Sequence, residues 1–420
     1  MNNNSSSSIL KHVVIIGAGF GGIQAARAFA NQPVRITLVD RHNYHLFQPL
    51  LYQVATSGLS ADEIAYPIRA IFQKQHNLEF KLGEVTAIDP QNNTVHFADD
   101  TLTYDYLILA AGGVTNHFGN DQLAQHSFGL KNLNDAVQLR NHILRQFEKA
   151  CHETDPAKKK AALTFAIVGG GPSGVESSGA LSELVQLLLR KEFHCMEQSD
   201  VEIILLEAMD SLLSTFPEQL GDFTVKTLQE KGIQVRFGKM VSDYDGKTIT
   251  LADSGTIETE TLIWATGIKA EDILQEFPAE KDRLGRIKVT DTLQLQQYPN
   301  VFAIGDGAFM LDENDKPLPM VAPVAMQQGK HAADNILSLI EGNPLESFTY
   351  KDPGTMATIG RRKAIALLNG MPFKGLIAWL IWLFVHLMQL VGFRNRIMVL
   401  INWAWDYFFY EKSVRLIGPE

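Results

Sequence analysis

The sequence predicts an α/β chain with two parallel-sheet domains followed by helices at its C-terminal end. Two glycine signatures 152 residues apart carry most of this reading. The first runs Val13-Val14-Ile15-Ile16-Gly17-Ala18-Gly19-Phe20-Gly21-Gly22 and the second Phe165-Ala166-Ile167-Val168-Gly169-Gly170-Gly171-Pro172-Ser173-Gly174. In each, a β-rich apolar run feeds G-x-G-x-x-G and then a helix-like stretch. The first glycine permits the tight turn and the second lets backbone approach a diphosphate. The third lets helix and strand pack closely, with the diphosphate at the positive helix end. One such motif is weak evidence, but two in strand–turn–helix context argue for two Rossmann-like domains and two dinucleotides.

An acid at the end of the next strand is the second observation. Val34–Val39 ends at Asp40, 18 residues past Gly22, close to the expected spacing of roughly 20. Val201–Leu206 ends at Glu207, 33 residues past Gly174, a gap filled by a helical run to about Phe193 and a polar loop from Cys195 to Asp200. A carboxylate there accepts hydrogen bonds from ribose hydroxyls and repels a 2′-phosphate. The plainer alternative is two ordinary strand-end surface acids.

The remaining elements follow in order. Tyr104–Gly112 reads as a buried strand ending in small residues, where backbone passes close to a cofactor. Asn134–Cys151 reads as a helical crossover, followed by a polar connection at Lys158–Lys160. Thr261–Gly267 closes the second unit as a counterpart of the strand ending at Gly112. Pro299–Gly307 forms another short apolar strand, ending in Gly-Asp-Gly with Asp306 placed to bond flavin ribityl hydroxyls. The next helix begins around Pro323 and carries Gln327 and Gln328. The simplest topology inserts the second unit into the first. It assigns 1–8 to a disordered tail, 9–118 and 286–341 to the first domain, 119–285 to the crossover helix and second domain, and 342–420 to the C-terminal region.

Composition narrows the function classes. At 420 residues and net charge −10, the chain has room for a sizeable core and shows no basic stripe for nucleic acid. From Lys351 to Glu420 there are nine Lys/Arg and four acids, so that segment is +5 on a body of −15. A basic, aromatic-rich end on an acidic body points to an anionic lipid surface. Cys151 and Cys195 are the only cysteines, with no C-x-x-C, which argues against a disulfide scaffold and a cysteine metal site. They read as free thiols in a reducing compartment. The start, Met1–Asn4 and Ser5–Ser8, lacks the cationic and apolar regions of a signal peptide.

The constellation resembles the two-dinucleotide flavoprotein reductases: Gly17-x-Gly19-x-x-Gly22, the strand ends at Gly112 and Gly267, and Ala303-Ile304-Gly305-Asp306. Four further segments narrow it, at Asn43–Gln53, Gly169–Glu176, Val321–Gly329 and Asn402–Tyr407. Together they resemble type II NADH dehydrogenases, single-subunit NADH:quinone oxidoreductases of respiratory membranes.

The resemblance implies non-covalent FAD in the first domain and NADH in the second. Hydride would pass to the flavin and electrons to a membrane quinone, without proton pumping. It places FAD contacts at Gly17, Gly19, Gly22, Asp40, Arg41, Val85, Ala111, Asp306 and Gln327, and NADH contacts at Gly169, Gly171, Gly174, Glu207 and Gly267. Glu176 matches a glutamate proposed to assist proton delivery to quinone; alternatively it only complements the helix dipole. Gln327 matches the downstream member of a glutamine pair on the quinone side, while Pro323 stands at the upstream position. A lysine at the quinone entry has no clear match, and Arg394 or Arg396 is the nearest stand-in.

Leu376–Val391 has only His386 and Gln389 as polar side chains. Sixteen residues rise roughly 24 Å, short of a hydrocarbon core of about 30 Å, although extension to Phe393 allows a marginal span. With Arg394, Arg396 and the aromatic stretch Ile397–Tyr410, helices lying in the interface fit better. The expected place is the cytoplasmic face of the inner (plasma) membrane, peripheral or monotopic; a homodimer is left open, and no metal is expected. The competing readings are a sulfide:quinone oxidoreductase, which needs a redox cysteine pair, and a NADH-binding flavoprotein that signals or docks partners. No Arg or Lys lies within the six residues after Glu207. NADH should therefore give a kcat/KM well above that of NADPH; equal values would contradict the role of that acid.

Overall fold

The computed structural model describes residues 10–412 and 414–418. The Ser-rich tail at 1–8 lies outside them. The chain divides into two compact units: Met1–His45, Pro67–Val114 and Ile268–Asp352 form the first, and Leu46–Tyr66, Thr115–Gly267 and Pro353–Glu420 the second. The chain re-enters the first unit at Ile268, earlier than the expected Arg286. The C-terminal region belongs to the second unit and is not separate from it.

The first unit opens with β1 (Lys11–Ile16), α1 (Phe20–Ala28), β2 (Val34–Asp40), β3 (Leu78–Leu82) and β4 (Tyr106–Leu109). In the second unit come α2 (Leu133–His152), β5 (Thr164–Val168), α3 (Pro172–Lys191), β6 (Glu202–Leu206), β7 (Ile233–Arg236) and β8 (Thr261–Trp264). Back in the first unit are β9 (Gln294–Leu295), β10 (Tyr298–Ala303) and α4 (Ala322–Glu341). The chain ends in the second unit with β11 (Thr355–Gly360), β12 (Lys363–Leu368), β13 (Met371–Gly375), α5 (Leu376–Gln389) and α6 (Phe393–Phe409).

The first unit's sheet has the order β9-β10-β4-β1-β2-β3, parallel except for the β9–β10 pair. Both faces of β1 are buried, as a parallel sheet requires. Val13 and Ile15 join a core with α1 and α4, while Val14 and Ile16 pack against Leu274 and Phe277. Glycine lets α1 and α4 approach: a Cβ on Gly329 would sit 2.2 Å from the Gly21 carbonyl oxygen. The second unit repeats the plan with the all-parallel order β7-β6-β5-β8.

In the second unit the antiparallel meander β11-β12-β13 packs on α3. A Cβ on Gly179 of α3 would lie 2.1 Å from the Ile359 carbonyl oxygen of β11. Buried Ser177, Ser178 and Ser182 keep that helix face slim.

Two expectations need correction. Lys158–Lys160 is not a loop but part of a helix, Pro156–Leu163, started by an Asp155 N-cap and Pro156 in the first turn. Cys151 and Cys195 are not free thiols; they form a disulfide with a Cα–Cα distance of 6.1 Å. The loop after α3 folds back against the last turn of α2, and a separation of 44 residues carried no pairing signal. Among the described residues no helix is long and apolar enough to cross a membrane; α5 stops at 14 residues, so the marginal span to Phe393 is not formed.

Candidate active site

The two glycine turns are built alike. In the first, a Cβ at Gly17 would sit 2.2 Å from the Ala110 carbonyl oxygen, and one at Gly22 would sit 1.8 Å from that of Gly17. In the second, a Cβ at Gly174 would lie 1.8 Å from the Gly169 oxygen. Gly17 and Gly169 take φ of +102° and +111°, a conformation that glycine adopts without strain. By contrast Gly19 and Gly171 look into open space, and each is the N-cap of its helix with no side chain capping it. The first-turn N–H groups of α1 and α3 are thus left for an anion, which a dinucleotide diphosphate supplies.

Each turn is tied to its acid. Asp40 accepts hydrogen bonds from Ala18 N (2.7 Å) and His42 N (2.7 Å). Glu207 accepts from Gly170 N (2.5 Å) and Met209 N (2.7 Å). In both motifs the residue after the first glycine is the donor. A carboxylate has about four acceptor positions, so each acid keeps capacity for ribose hydroxyls. These cradles fit two adenine dinucleotides.

Around the first turn, Arg41 pairs with Glu271 and lies 4.0 Å from Glu84, while Val85 and Ala111 pack on the β1 core face. Asp306 sits in the short Gly305–Gly307 turn after β10, held by Gln328, whose buried side-chain oxygen accepts from Gly305 N at 2.7 Å. Gln327 exchanges two hydrogen bonds with the backbone of Lys351, at 2.8 and 3.0 Å. In the second unit, Gly267 (φ +72°) closes against Asn116 and Phe118, leaving no room for a side chain.

Glu176 lies one turn inside α3, at a cavity of about 80 Å³ built wholly within the second unit. The cavity is walled by Tyr52, Trp382, Trp403 and Tyr407 and also admits Glu183, Arg361, Asp406 and Lys412. Burial pushes the Glu176 carboxyl up to about 8, outweighing Thr358 N, which donates to it at 3.2 Å, and the Trp382 indole. That indole N–H makes no other hydrogen bond among the described residues. Burial thus favours the protonated form of Glu176.

At the other end, Glu183 ion-pairs with Lys231 (2.7 Å) and accepts from Arg361 N (2.7 Å). Burial raises it, but Lys231, Lys412 and these hydrogen bonds prevail and hold it below the usual glutamate range. Lys412 is buried, donating to the Thr56 and Ala180 carbonyls at 3.1 and 3.2 Å. Its loss of hydration lowers its pKa against the pull of Glu183 and Asp406. The Arg361 guanidinium lies over Tyr407 and Tyr410, 4.4 and 3.9 Å from the ring centroids.

Sequence reasoning missed Glu183, Arg361 and Lys412. Arg394 and Arg396 do not line the cavity: Arg396 donates to the Leu390 carbonyl at the end of α5, and Arg394 is exposed. The Cys151–Cys195 pair lies beyond the far end of α3, roughly 30 Å along that helix from the glycine turn.

The helices α5 and α6 are turned inside out for a water-exposed surface. Polar groups face inward: Asn395 donates to the Asp62, Glu63 and Ala65 carbonyls, Asn402 to Glu63, and Trp403 to Gln53 at 2.8 Å. Phe384, Phe393 and Phe408 point outward at 67%, 78% and 72% exposure.

Comparison with known proteins places this arrangement. Residues 11–329 match the family described as pyridine nucleotide-disulphide oxidoreductase, and residues 353–410 match the NDH2 C-terminal domain. The type II NADH:quinone oxidoreductase Ndh of Mycobacterium tuberculosis is 41% identical over 407 residues, covering 93% of this chain and 87% of that protein. The type II NADH:quinone oxidoreductase of Haemophilus influenzae is 31% identical over 391 residues, covering 86% and 87%. The solved structure of NDH2 from Plasmodium falciparum in complex with NADH shares the fold, with a TM-score of 0.90 at 21% identity over 97% of this chain and all of that one. With its paired glycine cradles, its Glu176 cavity and these relatives, the chain belongs to the type II NADH:quinone oxidoreductase family.

Proposed function

We propose that Glu176 is the proton donor and Gln327 a quinone-side contact in the reaction of this family. The chain is an FAD-dependent enzyme that oxidises NADH and reduces a quinone by two electrons. The carrying observation is the pair of uncapped, acid-tied glycine turns together with a carboxyl kept protonated by burial. When bound, FAD supplies the chemistry that accepts hydride from NADH and returns two electrons to quinone.

The protein binds, orients and handles protons. The α1 and α3 N-termini hold the two diphosphates, and Asp40 and Glu207 the riboses. Arg41, Val85, Ala111 and Asp306 complete the FAD contacts, and Gly267 gives the nucleotide a side-chain-free passage. Reducing the quinone consumes one proton beyond the hydrogen that NADH carries. Glu176 holds that proton at neutral pH and gives it up as the quinol forms. Gln327 turns its amide from Lys351 to a quinone oxygen.

The exposed apolar faces of α5 and α6, flanked by Arg394 and Arg396, lie on an anionic lipid surface at the cytoplasmic side, where a lipophilic quinone is found. The enzyme is membrane-associated without a crossing helix among the described residues.

Rapid mixing of the holoenzyme with NADH, then with a soluble quinone analogue, separates the two half-reactions. Glu176→Gln should leave flavin reduction intact and slow reoxidation roughly 100-fold, the usual worth of a general acid. In the parent enzyme reoxidation should fall as pH rises through about 8, where the carboxyl ionises, and the variant should lose that step. An unchanged pH profile would rule out the proton role. Gln327→Leu should raise KM for quinone about tenfold, one hydrogen bond's worth, without touching flavin reduction. Replacing Phe384, Phe393 and Phe408 together by Asp should abolish flotation with anionic liposomes while NADH still bleaches the flavin. Undiminished flotation would remove the docking face.

A further inference from the structure

Resting on Glu176 as donor, we propose that Asp406 is the group that resupplies its proton, through the cavity within the second unit. The stoichiometry sets the need: NADH + H⁺ + quinone → NAD⁺ + quinol. Hydride brings two electrons and one hydrogen; the second hydrogen comes from the Glu176 carboxyl, whose O–H bond breaks as one forms on the quinone oxygen. The resulting carboxylate must regain a proton from solvent before the next turnover.

Glu176 and Glu183 lie seven residues apart on one face of α3, roughly 10 Å along the axis. Asp406 and Lys412 meet the cavity at the Glu183 end. Direct transfer over that distance is excluded, but hydrogen-bonded waters bridge about 2.8 Å each. A cavity of about 80 Å³ has room for several, since one water needs roughly 15 Å³ of such space.

Among the ionisable groups at that end, Asp406 alone combines access to solvent with a carboxyl that no fixed partner holds. Glu183 is locked as an anion by Lys231 and the Arg361 amide. Lys412 is fixed on two carbonyls. Arg361 is stacked on Tyr407 and Tyr410. Asp406 is partly exposed, and its carboxylate makes no hydrogen bond to another described residue. Burial, then Glu183, raise its pKa, while Lys412 and Arg361 keep the rise in check. A relay group needs that balance, taking a proton from solvent and passing it on. Tyr52, across the cavity, is held far above its usual pKa by burial and adds no competing charge.

The test uses full-length holoenzyme. NADH should reduce the flavin of Asp406→Asn at the parent rate, whereas reoxidation by a soluble quinone should slow at least about tenfold at alkaline pH. Small weak acids such as acetate should restore it, and Asp406→Glu should stay within a few-fold of the parent. If Asp406→Asn reoxidises at the parent rate at every pH, the relay is overturned. It is equally overturned if the variant is slow but blind to pH and weak acids, and if Asp406→Glu is as slow, since that marks a structural role only. Glu176→Gln should respond to none of the added acids. A parent flavin that NADH fails to reduce would instead defeat the functional reading itself.

Discussion

The close approach of α3 and β11 at Gly179 is the contact on which the rest of the second unit depends. With backbone against backbone there, the meander lays its amides along the helix. Thr358 N reaches Glu176 and Arg361 N reaches Glu183. Any side chain at 179 would push β11 away and take both donors with it. The same contact places the β11–β12 turn so that Arg361 stacks on the aromatic rings of the C-terminal segment. One small residue therefore sets the electrostatics of two acids and the seating of the terminal helices.

Those helices reverse the usual distribution of polarity. A helix on a water-soluble protein buries its apolar stripe and exposes its polar one. Here three amide or indole donors point into the protein to satisfy carbonyls and a carboxylate, and phenylalanines point away from it. The inward network fixes the segment Leu46–Tyr66 and so carries Tyr52 and Gln53 to the cavity wall.

Legibility in the sequence followed the range of the interaction. The glycine turns, Asp40, Glu207 and Asp306 are written in contiguous residues whose spacing states a local geometry, so strand, turn and helix were readable together. Glu176 was readable because it adjoins one of those turns, though its protonation depends on burial by residues far away in the chain, which outweighs Thr358 and Trp382. The cluster of Glu183, Arg361 and Lys412 was not readable, because it joins a mid-chain helix, a hairpin turn and the residues after the last helix. The disulfide failed for the same reason, across 44 residues. The helix at Pro156–Leu163 was legible from Asp155-Pro156, but the charge of its lysines masked the capping signal. Gln328 has no role marked in the sequence, yet its buried amide sets the Gly305 turn.

The bond from Glu207 to the Gly170 amide gives that acid two employments at once. As proposed it reads the ribose hydroxyls, and through the Gly170 amide it also laces the phosphate loop into shape before any nucleotide arrives. Retooling this enzyme for a 2′-phosphorylated coenzyme is therefore more than deleting a negative charge. Swapping the acid for a smaller neutral residue would loosen the loop that both coenzymes need, and a new donor–acceptor pair would have to be supplied along with any arginine.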